Sequence, residues 1–306
     1  MNDFQPPGFE QRVTETSLGS MVYYTPVTKV WAASATEQSA FSPLIFLHSV
    51  GGGSSAYEWS KVYPAFAASH RVLAPDLIGW GASAHPARDY QITDYWLMVT
   101  EFIQQVAHPP AVVVASSLTA GMMIRLAIQR PELFQALLLV CPTGFADFGT
   151  DYSRGFAAQI ASISGLDQLL YALGAANKVA IRTFLQQVLF VQPRRVTEEM
   201  VAAYLASAQQ PNAKYSALTS LRGNLCFDLA LYIQQLTVPT VMLWGEQSRF
   251  TGADLGQRLA QLNPQAVRVF QSIPEVGVLP HLELPEVVIG LMQRYFLPLL
   301  SSSNTG

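Results

Sequence analysis

Short, almost wholly apolar runs recur along this chain and alternate with longer segments in which apolar residues return every three or four positions. The short runs are rich in valine, leucine and isoleucine, which is typical of strands that are covered on both faces. They lie at Leu44–Leu47, Val72–Ala74, Ala111–Val114, Ala136–Val140, Thr240–Leu243 and Val267–Phe270. The longer segments predict helices at Tyr57–Ala68, Thr93–Val106, Ala120–Gln129, Asp254–Leu262 and Pro285–Phe296. This alternation predicts βαβ units, and hence an α/β fold with a mostly parallel central sheet flanked by helices.

Two regions depart from this alternation. Near the start, Ser20–Tyr24 and Lys29–Ala33 flank turn-forming residues around Pro26, which predicts a β-hairpin. Between Pro142 and Pro239 there is no convincing strand pattern. The spacing there predicts helices at Tyr152–Ile160, Leu166–Leu173, Lys178–Val188, Glu198–Gln209 and Ala213–Asn224. We therefore expect an α/β core of residues 1–142 and 239–306 and a helical cap of residues 143–238, over the sheet edge where open α/β sheets bind ligands.

The composition narrows the possible partners. Half of the residues are hydrophobic and 13% are charged, against roughly 25% charged in an ordinary soluble domain. The net charge of −3 comes with no basic cluster, which argues against a nucleic-acid partner. Residues 1–11 lack the features of a signal peptide, and no stretch reaches the roughly 18 apolar residues of a membrane span. We expect a cytoplasmic protein without an integral membrane span, and the oligomeric state stays open.

Metal and cofactor signals are weak. Cys141 and Cys226 are the only cysteines and form no C-x-x-C motif, and no histidine pair has the spacing of metal ligands. The glycine run Gly51–Gly53 lacks the lysine of a phosphate-binding loop, so a tight turn is favoured over a nucleotide site. We therefore predict neither a metal nor a cofactor.

The most informative motif lies between Val112 and Gly121. An apolar strand ends in A-S-S-L-T, and a helix follows directly. A nucleophile on a sharp strand-to-helix turn needs small neighbours two positions away, and the helix supplies N–H donors to a developing oxyanion. Around Ser117 those neighbours are Ala115 and Thr119, where glycine is usual. Taken alone, the motif leaves an ordinary tight turn open.

Further segments occur in an order typical of one family. They are the strand Leu44–Leu47 followed by His48-Ser49 and the glycine run, D-x-x-G-x-G-x-S from Asp76 to Ser83, L-W-G-E at 243–246, and V-G-V-L-P-H-L-E-L-P at 276–285. Together with the Ser117 motif, this order resembles the α/β-hydrolase superfamily from about Ser20 to Leu300. The resemblance implies an α/β-hydrolase fold.

The resemblance also assigns roles to residues. Ser117 would be the nucleophile, and the backbone N–H groups of Val50 and Leu118 would form the oxyanion hole. Where the family has its catalytic histidine this chain has Val278, and where it has the acid this chain has Ser248. A serine hydroxyl needs an adjacent base, and that base needs an orienting partner. We therefore expect a degenerate triad without ordinary serine-hydrolase chemistry.

Other side chains could replace the missing partners. His281, three residues beyond Val278, is the first candidate for a relocated base, and His48 is a weaker one. Asp147, Glu246 and Asp254 are possible relocated acids.

The cap is rich in aromatic residues, which favours an apolar ligand over a sugar or a nucleotide. The side chains expected to line the ligand pocket are His48, Ser49, Ser116, Phe145, Phe148 and Tyr152. Two hypotheses follow. In the first, the protein binds a small apolar ligand or a protein partner without ordinary hydrolysis, as non-hydrolytic members of the superfamily do. In the second, it is an atypical esterase, another hydrolase or a lyase in which Ser117 works with a relocated base.

Overall fold

The structure of this chain is a computed structural model that describes residues 2–27, 31, 42–150 and 177–302. Its strands are Phe9–Thr16 (β1), Gly19–Pro26 (β2), Leu44–Leu47 (β3), Val72–Pro75 (β4), Ala111–Ser116 (β5), Phe134–Val140 (β6), Thr240–Gly245 (β7) and Val267–Ile273 (β8). They form an eight-stranded sheet with the order β1-β2-β4-β3-β5-β6-β7-β8. Strands β3 to β8 pair in parallel, whereas β2 pairs antiparallel with β1 and with β4. The predicted α/β fold with a mostly parallel sheet is confirmed.

Helices flank the sheet and fill the connections between strands. The α-helices are Ile92–Phe102 (α1), Ser117–Gln129 (α2), Lys178–Phe184 (α3), Glu198–Ala208 (α4), Ala213–Leu221 (α5), Ala253–Gln261 (α6), Pro280–Glu283 (α7), Pro285–Leu291 (α8) and Leu297–Ser302 (α9). Short 3₁₀ helices cover Asn2–Phe4, Ala56–Trp59, Tyr63–Phe66, Pro131–Leu133, Asp147–Gly149, Pro193–Arg195, Leu229–Leu231 and Ile233–Gln235, and π-helical turns cover Ile103–Ala107, Leu185–Leu189 and Met292–Phe296. Within the described ranges, no helix combines the length and apolar character needed to cross a membrane.

The centre of the sheet determines where a site can form. Every residue of β5 is buried, as expected for a parallel strand that is covered on both faces. β3 pairs with one edge of β5 and β6 with the other. Leu47, the last residue of β3, lies opposite Ala115 near the end of β5. The loop after β3 and the turn after β5 therefore begin side by side at the carboxyl edge.

The amino-terminal hairpin has a different partner from the predicted one. β2 contains Ser20–Tyr24, but it pairs along its whole length with the preceding β1. Its other edge pairs with β4 through Tyr23 and Tyr24. The predicted pairing with Lys29–Ala33 is therefore wrong, and of that second segment only Trp31 is among the described residues. β1 is an edge strand with mostly polar, solvent-facing residues, so its sequence lacks an apolar signal.

The predicted helix Tyr57–Ala68 is also wrong, because two 3₁₀ helices, Ala56–Trp59 and Tyr63–Phe66, replace it. Pro64 has no N–H to donate, and its ring would collide with the carbonyl four residues earlier in a continuous helix. In the structure Pro64 lies in the first turn of the second 3₁₀ helix, where no intrahelical donor is needed. The segment still contributes buried aromatic side chains to the core.

Residues 143–238, predicted above as a helical cap, lie between β6 and β7 and are called the cap segment below. Its helices α3, α4 and α5 correspond to the predictions at Lys178–Val188, Glu198–Gln209 and Ala213–Asn224, whereas those at Tyr152–Ile160 and Leu166–Leu173 lie outside the described residues. Ser207 of α4 donates its hydroxyl to the Ser54 carbonyl at 2.9 Å and accepts the Gly81 N–H at 3.0 Å. Helix α4 therefore lies against the loops that follow β3 and β4.

Candidate active site

Ser117 lies at the junction between β5 and α2, at the carboxyl edge of the sheet. Its φ of 54° is in the left-handed region, a conformation that costs a non-glycine residue about 1–3 kcal/mol. The preceding Ser116 is extended, with φ −126° and ψ 151°, so the chain turns sharply from strand to helix. Ala115 and Thr119, two positions away on either side, are buried. This backbone has the geometry of a nucleophile elbow.

Two backbone N–H groups near this turn lack acceptors. Leu118 is the second residue of α2, so its N–H has no carbonyl four residues earlier within the helix. In the loop after β3, the Ser49 N–H donates to Glu58 Oε2 at 2.8 Å and the Gly51 N–H donates to Ser54 Oγ at 3.0 Å. Among the described residues, no acceptor binds the N–H of Val50 or of Leu118. Both positions named for the oxyanion hole thus carry a donor that a ligand oxygen could use.

The loops after β7 and β8 contact each other, and both triad positions in question lie on them. The Gln247 N–H donates to the Val276 carbonyl at 3.1 Å. A Cβ atom on Gly245 would lie 1.8 Å from the carbonyl oxygen of Gly277, so the two backbones touch there. Ser248 and Val278 are both buried. Where the resemblance expects an acid and a histidine, the structure therefore holds a hydroxyl and a hydrocarbon side chain.

His281, the first candidate for a relocated base, is not hydrogen-bonded to Ser117. Its ring stacks on Trp59 with the ring centroids 3.8 Å apart and the planes at 14°. Neither ring nitrogen has a hydrogen-bond partner among the described residues, and burial lowers the pKa of His281 to about 3. Trp59 donates its Nε1–H to the Leu47 carbonyl at 3.0 Å. The stacked pair therefore packs against the end of β3 as a neutral unit.

His48 is held by two hydrogen bonds. Its Nδ1–H donates to the Ser49 carbonyl at 2.6 Å, and its Nε2 accepts the Leu77 N–H at 2.9 Å. Since one nitrogen donates and the other accepts, the ring is the neutral tautomer, and burial lowers the pKa of His48 to about 4. His48 joins the loops after β3 and β4 and has no free nitrogen with which to act as a base.

The other three histidines are also not hydrogen-bonded to the Ser117 hydroxyl. His70 and His108 precede β4 and β5, and so lie at the amino edge, a strand length of roughly 13 Å for β4 and roughly 20 Å for β5 from the carboxyl edge. His85, in the loop after β4, accepts an amide N–H of Asn212 through its carbonyl at 3.1 Å. All five histidines of the chain are described. No imidazole, and no carboxylate of the described residues, is hydrogen-bonded to Ser117.

Two of the three candidate acids, Asp147 and Glu246, have hydrogen-bond partners elsewhere, and the third, Asp254, is exposed in the first turn of α6. Asp147 is buried and accepts the Thr143 hydroxyl at 2.7 Å and the Leu229 N–H at 2.8 Å, and burial raises its pKa. It therefore links the two ends of the cap segment. Glu246 accepts the Ser272 hydroxyl at 2.8 Å. Across the part of the chain that is described, no group of three or more His, Cys, Asp or Glu side chains could hold a metal ion.

The aromatic side chains predicted to line the pocket differ in their surroundings. Phe145 contacts Phe250 edge to face, with the ring centroids 6.0 Å apart. Phe148 lies under the Arg258 guanidinium, 3.9 Å from the ring centroid. Tyr152 is outside the described residues. Phe145 therefore borders the loop after β7, which carries Ser248. The face of the Phe148 ring is covered by the Arg258 side chain.

The polar side chains predicted for the pocket also differ. The Ser116 hydroxyl is buried without a partner among the described residues. The Ser49 hydroxyl donates to Glu58 Oε1 at 2.8 Å. Glu58 was not identified from the sequence, where it is only an acid between two aromatic residues. A buried carboxylate beside the loop after β3 emerges from the tertiary structure alone.

Comparison with known proteins agrees with this fold. Residues 44–291 match the Alpha/beta hydrolase family. The match spans more than half of the chain, and the chain therefore belongs to the alpha/beta hydrolase family.

Individual relatives are hydrolases. Over 110 residues the chain is 33% identical to a 2-hydroxymuconate semialdehyde hydrolase of Pseudomonas sp. (strain CF600), a match that spans 35% of this chain and 39% of that protein. Over 238 residues it is 25% identical to the uncharacterized hydrolase YugF of Bacillus subtilis (strain 168), spanning 77% of this chain and 83% of that protein. The structure of CarC, a serine hydrolase involved in carbazole degradation, is similar with a TM-score of 0.73 at 17% identity, covering 96% of this chain and 99% of that chain. At that identity the structural likeness concerns the fold alone.

Proposed function

We propose that this member of the alpha/beta hydrolase family binds a small apolar ligand beside Ser117 and lacks ordinary serine-hydrolase turnover. One observation carries the proposal, namely that no imidazole is hydrogen-bonded to the Ser117 hydroxyl although all five histidines are described. A serine hydroxyl at its own pKa is a weak nucleophile and needs an adjacent base. Val278 cannot supply that base.

The remaining groups suit recognition of one oxygen atom on an apolar molecule. The unpaired N–H groups of Val50 and Leu118 can each donate to a carbonyl oxygen. We place the buried Val278 and the ring of Phe145, which contacts Phe250, in the apolar lining of this site. Such a combination, a few placed donors within an apolar lining, is typical of small-molecule sites. We therefore infer that the ligand carries a carbonyl or carboxylate group on an apolar body.

Covalent labelling tests the missing base. When triad members are absent, the oxyanion hole and binding leave about 10³–10⁴-fold catalysis over water. We expect very slow turnover of short-chain aryl esters, and little labelling of Ser117 by a fluorophosphonate probe, measured by intact-protein mass spectrometry with Ser117→Ala as the control. Stoichiometric labelling of Ser117 within minutes would reject the proposal.

An enzyme with a relocated base is the second candidate. It is supported by the strained φ of Ser117, which serves a nucleophile better than a passive binding residue, and by the likeness to a 2-hydroxymuconate semialdehyde hydrolase. In this case the wild type hydrolyses esters or 2-hydroxymuconate semialdehyde rapidly, and both Ser117→Ala and His281→Ala abolish the activity.

A further inference from the structure

Glu58 places a carboxylate in the protein interior beside the loop that holds Val50. The residue lies on the 3₁₀ helix Ala56–Trp59 and has 0% exposure. No lysine, arginine or histidine in the described ranges forms an ion pair with it, and burial raises its pKa. A buried carboxyl group is unfavourable unless its oxygens accept hydrogen bonds. The donors to Glu58 therefore indicate what the residue does.

These donors come mainly from one residue of the loop. The Ser49 N–H donates to Oε2 at 2.8 Å, and the Ser49 hydroxyl donates to Oε1 at 2.8 Å. The hydroxyl oxygens of Ser49 and Ser54 lie 2.9 Å apart, and Ser54 Oγ accepts the Gly51 N–H at 3.0 Å. The N–H groups on both sides of Val50 are thus directed to partners within the protein. Only the Val50 N–H, among these three, stays without an acceptor in the described residues.

The cap segment supplies the third donor to Glu58. Tyr204 of α4 donates its hydroxyl to Oε1 at 3.0 Å. At Gly53, where φ is +89°, a Cβ atom would lie 2.6 Å from the Tyr204 carbonyl oxygen, so the loop and α4 are in backbone contact. Ser207 of the same helix donates to the Ser54 carbonyl. The loop is therefore held between the carboxylate on one side and α4 on the other.

We propose that Glu58 is a positioning residue, which holds the Ser49 N–H so that the loop presents the Val50 N–H to the ligand's oxygen. This inference rests on the proposed function and goes beyond it, since it assigns part of the affinity for that oxygen to a side chain that does not touch the ligand. In this proposal Glu58 holds the loop by accepting hydrogen bonds from Ser49, and its negative charge is not required. A glutamine can still accept the Ser49 N–H and donate to hydroxyls, whereas a leucine cannot.

Two probes that differ only in a carbonyl test this inference. 4-Phenyl-2-butanone and butylbenzene share a phenyl ring and a four-carbon chain, and their dissociation constants can be measured by displacement of an apolar dye. We expect the wild type to prefer the ketone. Glu58→Leu should raise the Kd of the ketone about three- to tenfold, the range expected for one hydrogen bond, and change that of butylbenzene by less than about twofold. Glu58→Gln should leave both values within about twofold of the wild type.

Matched variants separate positioning from loss of structure. Glu199→Gln changes an exposed carboxylate of α4 that pairs with Lys61 at 2.7 Å, and it should alter neither value. Ser54→Ala frees the Gly51 N–H while Glu58 stays in place, so it tests the loop even if Glu58→Leu does not fold. We expect it to weaken only the ketone, by about two- to fivefold.

The outcomes are distinguishable. A selective loss of ketone affinity in Glu58→Leu or Ser54→Ala, with Glu58→Gln unaffected, supports the inference. Equal weakening of both probes, or an unchanged preference for the ketone in both variants, overturns it and leaves the proposed binding function standing. A wild type that binds neither probe rejects the proposed function, and the inference with it.

Discussion

At the scale of single residues, His281 combines full burial with two ring nitrogens that have no hydrogen-bond partner among the described residues. Its stabilising contact is the stacked indole of Trp59. Because the folded protein excludes the charged form, the pKa of His281 falls from 6.5 to about 3. Because its pKa is lower in the folded than in the unfolded protein, His281 makes the unfolding free energy decrease as the pH falls.

We expect His281→Phe, which retains an aromatic ring, to change the acid dependence of the unfolding free energy. As the pH falls below 6.5, His281 is protonated in the unfolded wild type but stays neutral in the folded protein. The difference in unfolding free energy between the wild type and the variant therefore has its full value above that pH. It should fall by about 1.4 kcal/mol per pH unit as the pH drops towards 3.

Urea unfolding at several values between pH 8 and pH 4 measures this difference. Groups that titrate equally in both proteins cancel in the difference between the two unfolding free energies. The test is therefore the slope of that difference against pH. Unfolding free energies of the two proteins that stay parallel from pH 7 to pH 4 would mean that His281 is solvated, against the structure described above.

At the scale of elements, the loops after β7 and β8 act as a pair. Their contact at Gly245 and Gly277 leaves no room for a side chain at position 245, and it brings the segments with Ser248 and Val278 together. The same loops are tied to the cap segment, since Glu283 accepts the Gly277 N–H at 2.9 Å and an Arg195 N–H at 3.0 Å. New side chains at positions 248 and 278 would therefore enter an ordered framework.

Val278→His combined with Ser248→Asp should rebuild a relay to Ser117. A general base contributes about 10²–10⁴-fold, so even a poorly oriented imidazole should raise aryl-ester hydrolysis by at least about tenfold. Val278→His alone should raise aryl-ester hydrolysis by a smaller factor, because no acid would fix the tautomer of the new imidazole. Adding Ser117→Ala should remove the gain. A folded double variant with wild-type activity would show that the two positions do not face Ser117.

At the scale of the whole molecule, the cap segment and the core meet at the glycine run. Gly53 has a positive φ and approaches the Tyr204 backbone, whereas Gly290 in α8 has open space around its missing Cβ. These two glycines form a matched pair, since one lies in the contact between α4 and the core and the other is on an unobstructed helix.

Gly53→Ala should lower the unfolding free energy by about 1–3 kcal/mol, because alanine is strained at this φ and its Cβ collides with the Tyr204 carbonyl. Gly290→Ala should be neutral or stabilising by up to about 1 kcal/mol. Urea unfolding gives both values, and limited proteolysis should cut the cap segment faster in Gly53→Ala only. Equal stabilities for the two variants would contradict the described contact between Gly53 and α4.

Much of the core could be predicted from local patterns. The parallel strands β3 to β8 were recognisable because strands covered on both faces are apolar at consecutive positions. The pattern does not indicate β1, because a solvent-facing edge strand lacks that signal. It predicts a continuous helix at Tyr57–Ala68 because the helical spacing of apolar residues there takes no account of Pro64. In both segments the apolar pattern alone does not report the backbone conformation, since β1 lacks the pattern and Pro64 interrupts the helix that the pattern indicates.

The sequence by itself determined the fold, the strand-to-helix turn at Ser117 and the absence of a histidine at position 278, since each depends on residue type and spacing along the chain. Only the tertiary structure decided that His281 stacks on Trp59, that His48 uses both ring nitrogens in loop contacts, and that Glu58 binds Ser49. Apart from the bond between the adjacent His48 and Ser49, these pairings join residues that spacing along the chain does not bring together. Their partners depend on how loops from separate strands meet at the carboxyl edge, where burial leaves each polar group only the donors and acceptors that packing brings within reach.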